Sequence, residues 1–539
     1  WTRIHPQLDA YAAGWHRARV DACEASARGE QSSTLLDLRM LCLDRRLLQF
    51  STTIDVLADA DSAALERALD AVEGLPSLDA CADRDALLHE DAELPPERAA
   101  TREDVERRVI AVETLDVLGQ HAVALERMRP IAATADASGD QALRARVYLA
   151  LGRAQQSNGN YRDAELALRE SYRAALLAGQ LRRAGDAARA LVEVVGGGTG
   201  LARPGEGRAW AFHAEALTES SGSPLDRADY HVDIGEVDKM DGRYPDARAH
   251  FELALALYDE LDSDLARRLR ALTGLANTEV YLGDIAASAS LYRRALELVV
   301  ERRGPRHPQA ASLHMSLGDV YSQVGRWSEA RSELEAAVAI FEVALGPRHP
   351  TLGFALGVLG YVAGWQGDYA FARTTLERSV TILEGSVGRD HYYYSDAVGK
   401  LGAVEYLAGD YAAAGEHYEF ARASLERQMG ADHPSVGVAL GNLAELALTQ
   451  HDAALALARA DAALAILEPK IGHDHFDLLL PLDIRGRALL ELGRAREAIP
   501  TLERCIAIHE RERHDAAGLA TLRDALALAR TQEAAHAAE

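Results

Sequence analysis

The stretch Gly346-Pro347-Arg348-His349-Pro350 decides how this sequence is read, because its histidine returns at a fixed interval. His307, His349, His391, His433 and His475 stand 42 residues apart, and Pro308, Pro350 and Pro434 follow the first, second and fourth. Working outward, a small residue stands eleven places after each histidine (Gly318, Gly360, Gly402, Ala444, Gly486), preceded by Leu317, Leu359, Leu401 and Leu443, with Arg485 as the departure. Seven places further come Gly325, Gly367, Gly409 and Gly493, with His451 out of pattern, and then Ala330, Ala372, Ala414, Ala456 and Ala498. A helix needs a small residue where its partner crosses closely, Gly ends it, and Ala admits the second helix at short range. Each unit therefore predicts a helical hairpin. Gly346 closes one hairpin and Pro350 opens the next at its first position, where a missing N–H costs nothing.

The same marks continue upstream. Leu275-Ala276 with Gly283, Ile234-Gly235 with Gly242 and Ala247, and Leu151-Gly152 with Gly159 and Ala164 give earlier units, and Gly119 with Ala124 a first, weak one. The expected division is a non-repeating helical segment over 1–95, degenerate repeats over 101–264, six 42-residue repeats over 265–516 and a C-terminal capping helix over 517–539. Within the first segment the reading places helices over 6–28, 32–60 and 62–73 and a proline-containing link at Leu94-Pro95-Pro96-Glu97. The predicted fold is all-α: a right-handed superhelical solenoid of about ten hairpins with an N-terminal helical segment packed on its end.

Composition agrees. Ala and Leu dominate, and the 16 prolines and few β-branched residues argue against a sandwich or barrel. The formal charge of −25, with Lys239, Lys400 and Lys470 as the only lysines, excludes a phosphate-backbone binder. The uncharged run from Thr351 to Gly367 carries five glycines and falls in register with polar repeats, so it reads as a buried helix and not a membrane span. Trp1 stands where a start methionine is expected, which reads as a piece of a longer protein. The four cysteines form no zinc pattern, and for Cys23, Cys42 and Cys81 both a bridge between two of them and free buried thiols remain open.

The Leu-Gly, Gly-x-Tyr, Ala arrangement resembles the tetratricopeptide repeat, and the 42-residue length with Gly-x-x-His-Pro between units is similar to its kinesin-light-chain-type variant. The non-repeating start resembles a second known segment. Leu8-Asp9-Ala10-Tyr11, Trp15, Ala22-Cys23-Glu24-Ala25, Gly29-Glu30-Gln31-Ser32, Asp37-Leu38-Arg39-Met40, Cys42-Leu43 and Leu78-Asp79-Ala80-Cys81-Ala82-Asp83 look like the stretch between kinase domain and repeats in myxobacterial-type serine/threonine protein kinases. That resemblance implies a bacterial signalling protein with a kinase domain and a transmembrane helix upstream. It places the array on the extracytoplasmic side of the inner membrane where that helix precedes it, and in the cytoplasm otherwise. The sequence itself has no Gly-x-Gly-x-x-Gly, no His-Arg-Asp and no Asp-Phe-Gly, so this chain is expected not to be an enzyme.

The remaining motifs read as structure. Equivalent histidines on stacked hairpins lie about 10 Å apart, too far for one ion, so they are expected to cap and pack the joints, while His473-Asp474-His475, whose adjacent side chains rarely converge on one ion, reads as a solvated turn. Gly196-Gly197-Gly198-Thr199-Gly200 lacks the Lys-Ser/Thr of a phosphate loop and reads as a widened flexible turn. Asp368 and Asp410 read as helix caps, and Tyr392-Tyr393-Tyr394 as aromatic packing. No cofactor and no metal are expected.

What remains is a surface. In the repeat geometry, positions one, four and five after the small residue turn to the concave side, which selects Asp319, Ser322, Gln323, Tyr361, Trp365, Tyr406, Glu445 and Arg487, with Lys400 and Asn442 bordering it. Trp365 is open to a second reading, as a core filler between helices. The expected function is a protein-interaction scaffold that takes a peptide or protein in this groove, as the sensing or recruiting arm of a bacterial kinase, with a free-standing repeat adaptor as the alternative. Nucleic acid and direct membrane insertion are not expected.

Overall fold

A computed structural model describes residues 4–59, 68–82, 87, 96–197, 201, 203–261, 263, 265–512 and 516–538, and among these every regular element is helical. The chain divides into two compact units, residues 1–274 and 275–539.

The first unit opens with α1 (Ile4–Ala27), α2 (Ser33–Ala58) and the short α3 (Ala68–Glu73). Cys42 and Cys81 are joined by a disulfide at the centre of a small core of Leu43 and Leu87 lined by Trp15, Leu35 and Leu78, while Cys23 is exposed. Trp15 Nε1 donates to the Leu43 carbonyl at 2.7 Å and Tyr11 Oη to the Pro76 carbonyl at 3.0 Å, tying α1 to the chain around the bridge. Of the proline-containing link, Leu94 and Pro95 lie outside the described residues. Pro96 already belongs to α4 (Pro96–Val117), which corrects the expected link, since proline fits the first turn of a helix.

Hairpins follow without interruption: α4 with α5 (His121–Ser138), α6 (Gln141–Ser157) with α7 (Tyr161–Leu177), α8 (Leu181–Leu191) with α9 (Pro204–Ser221), and α10 (Pro224–Met240) with α11 (Tyr244–Glu260). Val56 of α2 packs on the Val105 and Val109 face of α4, so the starting segment sits on the end of the array as expected. The glycine-rich stretch is a correction. α8 runs into a buried π-helical turn, Val192–Gly196, and a Cβ on Gly207 of α9 would lie 2.5 Å from the Gly196 Cα. Gly196 and Gly207 thus serve a close backbone crossing and not a loose turn; Gly198, Thr199 and Gly200 lie outside the described residues.

The limit between the units falls within α12 (Leu265–Tyr281), which is followed by α13 (Ile285–Arg303). The second unit continues with α14 (Pro308–Gln323) and α15 (Trp327–Ala344), α16 (Pro350–Trp365) and α17 (Tyr369–Ser386), and α18 (Tyr392–Leu407) and α19 (Tyr411–Met429). Then come α20 (Pro434–Thr449) and α21 (Ala453–Ile471), α22 (Leu479–Glu491) and α23 (Ala495–Glu512), and the last helix, α24 (Ala516–Ala538). From α4 to α23 there are ten hairpins among the described residues, and Leu522, Leu526 and Ala529 of α24 close the apolar end of the last one.

The recurring residues do what their chemistry requires. The Nδ1 atoms of His307, His349, His391, His433 and His475 accept the backbone N–H two residues on, at 3.1 to 3.2 Å, which caps the first helices α14, α16, α18 and α20 and, at His475, the 3-10 turn Phe476–Leu478 that leads into α22. The glycine three places before each histidine takes a positive φ of 84° to 91°, a conformation that side chains resist. Asp284, Asp368, Asp410 and Asp452 cap second helices. Tyr394 is buried against Phe420, and Tyr393 leans on Phe354, which is packing within the joint. His451, at φ 62°, is the only described non-glycine residue with positive φ, and Arg485, in place of the usual leucine, reaches Asp461 at 2.7 Å. Among the described residues no helix is long and apolar enough to cross a membrane.

Candidate functional site

The residues expected to line the groove all lie on the first helices of hairpins in the second unit. Asp319, Ser322 and Gln323 share the last turns of α14; Ser322 Oγ donates to the Asp319 carbonyl at 2.7 Å and Gln323 Nε2 to Asp319 Oδ2 at 3.0 Å. Crowding of its water pushes the Asp319 carboxyl above the usual range, opposed by that hydrogen bond and by the charge of Lys400. Lys400 pairs with Asp396 one turn away, and its ammonium lies 5.8 Å from the centre of the Phe354 ring.

Trp365 is 45% exposed, so it is not a core filler. Its indole lies parallel to that of Trp327, centroids 5.4 Å apart, and Tyr361 meets it edge-on at 6.2 Å. Tyr406 Oη bonds Thr449 Oγ1 at 2.8 Å. Asn442 is half-buried, and its amide has no hydrogen-bond partner among the described residues. Burial pushes the Glu445 carboxyl up, reinforced by Asp483 and opposed by Arg487, while Arg487 itself is exposed and reaches Asp483 at 3.3 Å.

Two of these residues sense a partner two hairpins away, Asp319 the charge of Lys400 and Tyr361 the charge of Glu445, which brings residues of α14, α16, α18 and α20 toward a common face. Sequence reasoning missed Tyr281, a partly exposed ring whose hydroxyl pKa is raised by crowding of its hydration and by Asp477 and Asp319, together with Asp396, Asp477 and Asp483. Tyr281 stands five places after Ala276, so the rule that selected Gln323 selects it too once extended one unit upstream. Crowding of their hydration also raises the carboxyls of Asp477, opposed by His475, and Asp483, opposed by Arg487. The face presents five carboxyl groups against Lys400 and Arg487, with aromatic surface among them. Among the described residues no group of three or more His, Cys, Asp or Glu side chains is placed to hold a metal ion.

A sequence model of the tetratricopeptide repeat matches residues 226–301, 267–342, 309–385 and 393–468. No curated protein matches the chain. Among solved structures, the nearly identical TPR-like repeats of a Podosopora anserina kinesin light chain are 20% identical, with 38% of this chain and 98% of that one covered and a TM-score of 0.34. BtubC from P. vanneervenii is 20% identical, covering 46% and 92%, with a TM-score of 0.35. A Rap protein solved with competence and sporulation factor is 15% identical, covering 68% and 99%, with a TM-score of 0.47. Repeats of this kind are protein-interaction scaffolds. The capped hairpins, their 42-residue spacing and the family match agree that residues 226–385 and 393–468 of this all-helical chain are tetratricopeptide repeats.

Proposed function

We propose that the inner face of the second unit binds an extended segment of a protein partner that carries apolar and basic side chains. The observation that carries this reading is the pairing of an exposed, rigidly stacked indole at Trp365 with an unpartnered amide at Asn442 on a carboxylate-rich face. An extended peptide needs backbone hydrogen-bond partners, a flat surface for an apolar side chain and counter-charge for a basic one. Asp319, Glu445 and Asp483 supply the charge, and Tyr361 widens the aromatic surface.

The wider context we propose is the recruiting or sensing arm of a bacterial serine/threonine kinase, with kinase domain and membrane helix preceding this chain and the array on the extracytoplasmic side. The resemblance of residues 8–83 supports it, and the Cys42–Cys81 bridge fits an oxidising compartment. Reading the gene upstream tests the linkage: an open reading frame with the nucleotide-loop and catalytic-loop motifs of a kinase supports it, and a start codon adjoining Trp1 leaves a free-standing adaptor. For the groove, display selection on the purified chain should yield basic, aromatic-containing peptides, and Trp365→Ala with Asn442→Ala should weaken them at least tenfold with the melting temperature unchanged. Undiminished binding by that double variant moves the site elsewhere.

A further inference from the structure

The hairpin of α10 and α11 holds two imidazoles that the repeat does not need. His231 stands four places before the small residue Gly235, and His250 stands three places after Ala247 on the facing helix. Their Nδ1 atoms are 3.0 Å apart, with ring planes 26° apart and centroids at 5.2 Å. At the same two positions other units carry His314 with Glu333, joined Nδ1 to Oε2 at 2.6 Å, or the apolar-polar pairs Leu356 with Thr375 and Leu482 with Thr501. The His314 and Glu333 pair satisfies itself, and Thr501 donates to the Glu497 carbonyl at 3.2 Å. Two imidazoles that face each other through Nδ1 have room for one proton between two nitrogens.

The separation is also the bite of a chelate. With metal–nitrogen bonds of about 2.0–2.1 Å, nitrogens this far apart subtend about 95° at the ion, and an opening of about 0.3 Å gives the tetrahedral angle. Asp238, itself paired with Arg208, has its Oδ2 3.6 Å from His250 Nε2, beyond hydrogen-bond reach, and its charge favours a proton on that nitrogen, which leaves the Nδ1 lone pair facing His231. Glu215 and Asp246 add negative charge near His250, against Arg243 there and Arg227 near His231. Both rings are half-buried, so a hydrated ion can reach them.

We propose that His231 and His250 form a two-ligand site for a borderline divalent transition-metal ion of the Ni²⁺, Cu²⁺ and Zn²⁺ class, with water in the remaining positions. The ion crosslinks α10 to α11 and stiffens that hairpin. The site is independent of the peptide groove in the second unit.

The test uses the full chain, stripped with chelator and titrated with Ni²⁺ by calorimetry. One equivalent should bind, and His231→Leu with His250→Thr, the pair already accommodated at the Leu356 and Leu482 positions, should abolish it or weaken it at least tenfold. Unchanged stoichiometry and affinity in a folded double variant overturn the proposal. Should that variant unfold, carbethoxylation of the wild-type chain mapped by mass spectrometry decides: Ni²⁺ should protect His231 and His250, and equal modification of both with and without Ni²⁺ overturns the site.

Discussion

Gly360→Ala should destabilise this protein although alanine is the better helix former. A Cβ on Gly360 would stand 2.7 Å from Leu376 Cγ and 3.0 Å from the Ala372 carbonyl, well inside the distances at which carbon atoms attract. Leu376 is fully buried and the second obstacle is backbone, so neither can yield cheaply. Overpacking of this kind costs about 1–3 kcal/mol, and the helix preference of alanine returns about 1 kcal/mol. The net expectation is a loss of up to about 2 kcal/mol, or up to about thirtyfold in local opening. Gly385→Ala is the control, since nothing lies within 4 Å of its added Cβ and it should stabilise by up to about 1 kcal/mol. The protein itself contains the compensated form: Ala444 takes the place of the glycine and Ala460 the place of the leucine, both fully buried. Leu376→Ala alone should cost about 2–5 kcal/mol, and Gly360→Ala with Leu376→Ala should fall short of the sum by about 1–2 kcal/mol because the new methyl occupies part of the vacated space. Hydrogen exchange of peptides from α16 and α17 reads these local energies without assuming that the whole array unfolds in one step. Equal stabilisation by Gly360→Ala and Gly385→Ala, or strict additivity in the cycle, would refute the reasoning.

His451→Gly should raise stability by about 1 kcal/mol, because it removes a side chain from the left-handed region; a lower melting temperature would show that the imidazole itself holds the turn. Peptide mapping without reductant should recover Cys42 linked to Cys81 and Cys23 alkylated, and the double serine variant should lose about 2–4 kcal/mol in the starting segment; alkylation of all four cysteines would remove the bridge. Burial pushes the Asp233 carboxyl up to about 6, with Arg270 and Arg189 opposing and Glu193 and Asp229 reinforcing. Since that lies above the unfolded value, the native state holds this proton more tightly, and the resulting stability is fully present below about pH 4 and lost as the pH rises through about 6. Melting curves should therefore show the difference between Asp233→Asn and the wild type shifting in favour of the variant across that window, and a pH-independent difference would contradict it.

The array was legible because a hairpin that must stack on its neighbours repeats the same contacts at the same register, so periodicity in sequence is periodicity in packing. The histidine caps followed from the same logic: a residue between a glycine turn and a helix start has unsatisfied N–H groups beside it. The Gly196 turn was misread because glycine has two uses, freedom of φ and closeness of approach, and only the partner tells them apart. That partner is Gly207, eleven residues on. The choice of Cys42 and Cys81 over Cys23 depends on how α1 and α2 cross, which no local pattern encodes.

On the inner face, the register told which residues share a surface but not which of them are still available to a partner. Lys400 and Gln323 are taken up by acids four places earlier on their own helices, a spacing visible in sequence but ambiguous, since exposed long side chains have several such choices. Tyr406 is taken by Thr449, a full unit away, which sequence does not reveal. Trp365, stacked yet open, and Asn442, half-buried and unpartnered, are what the folded chain leaves uncommitted. A hydrogen bond already made within the protein must be given up before it can serve a ligand, so the gain on binding is greatest where none has been made. In the proposed groove the gain on binding would therefore concentrate at Trp365, Asn442 and the crowded carboxyls of Asp319 and Glu445, and be least at the residues already satisfied within the protein.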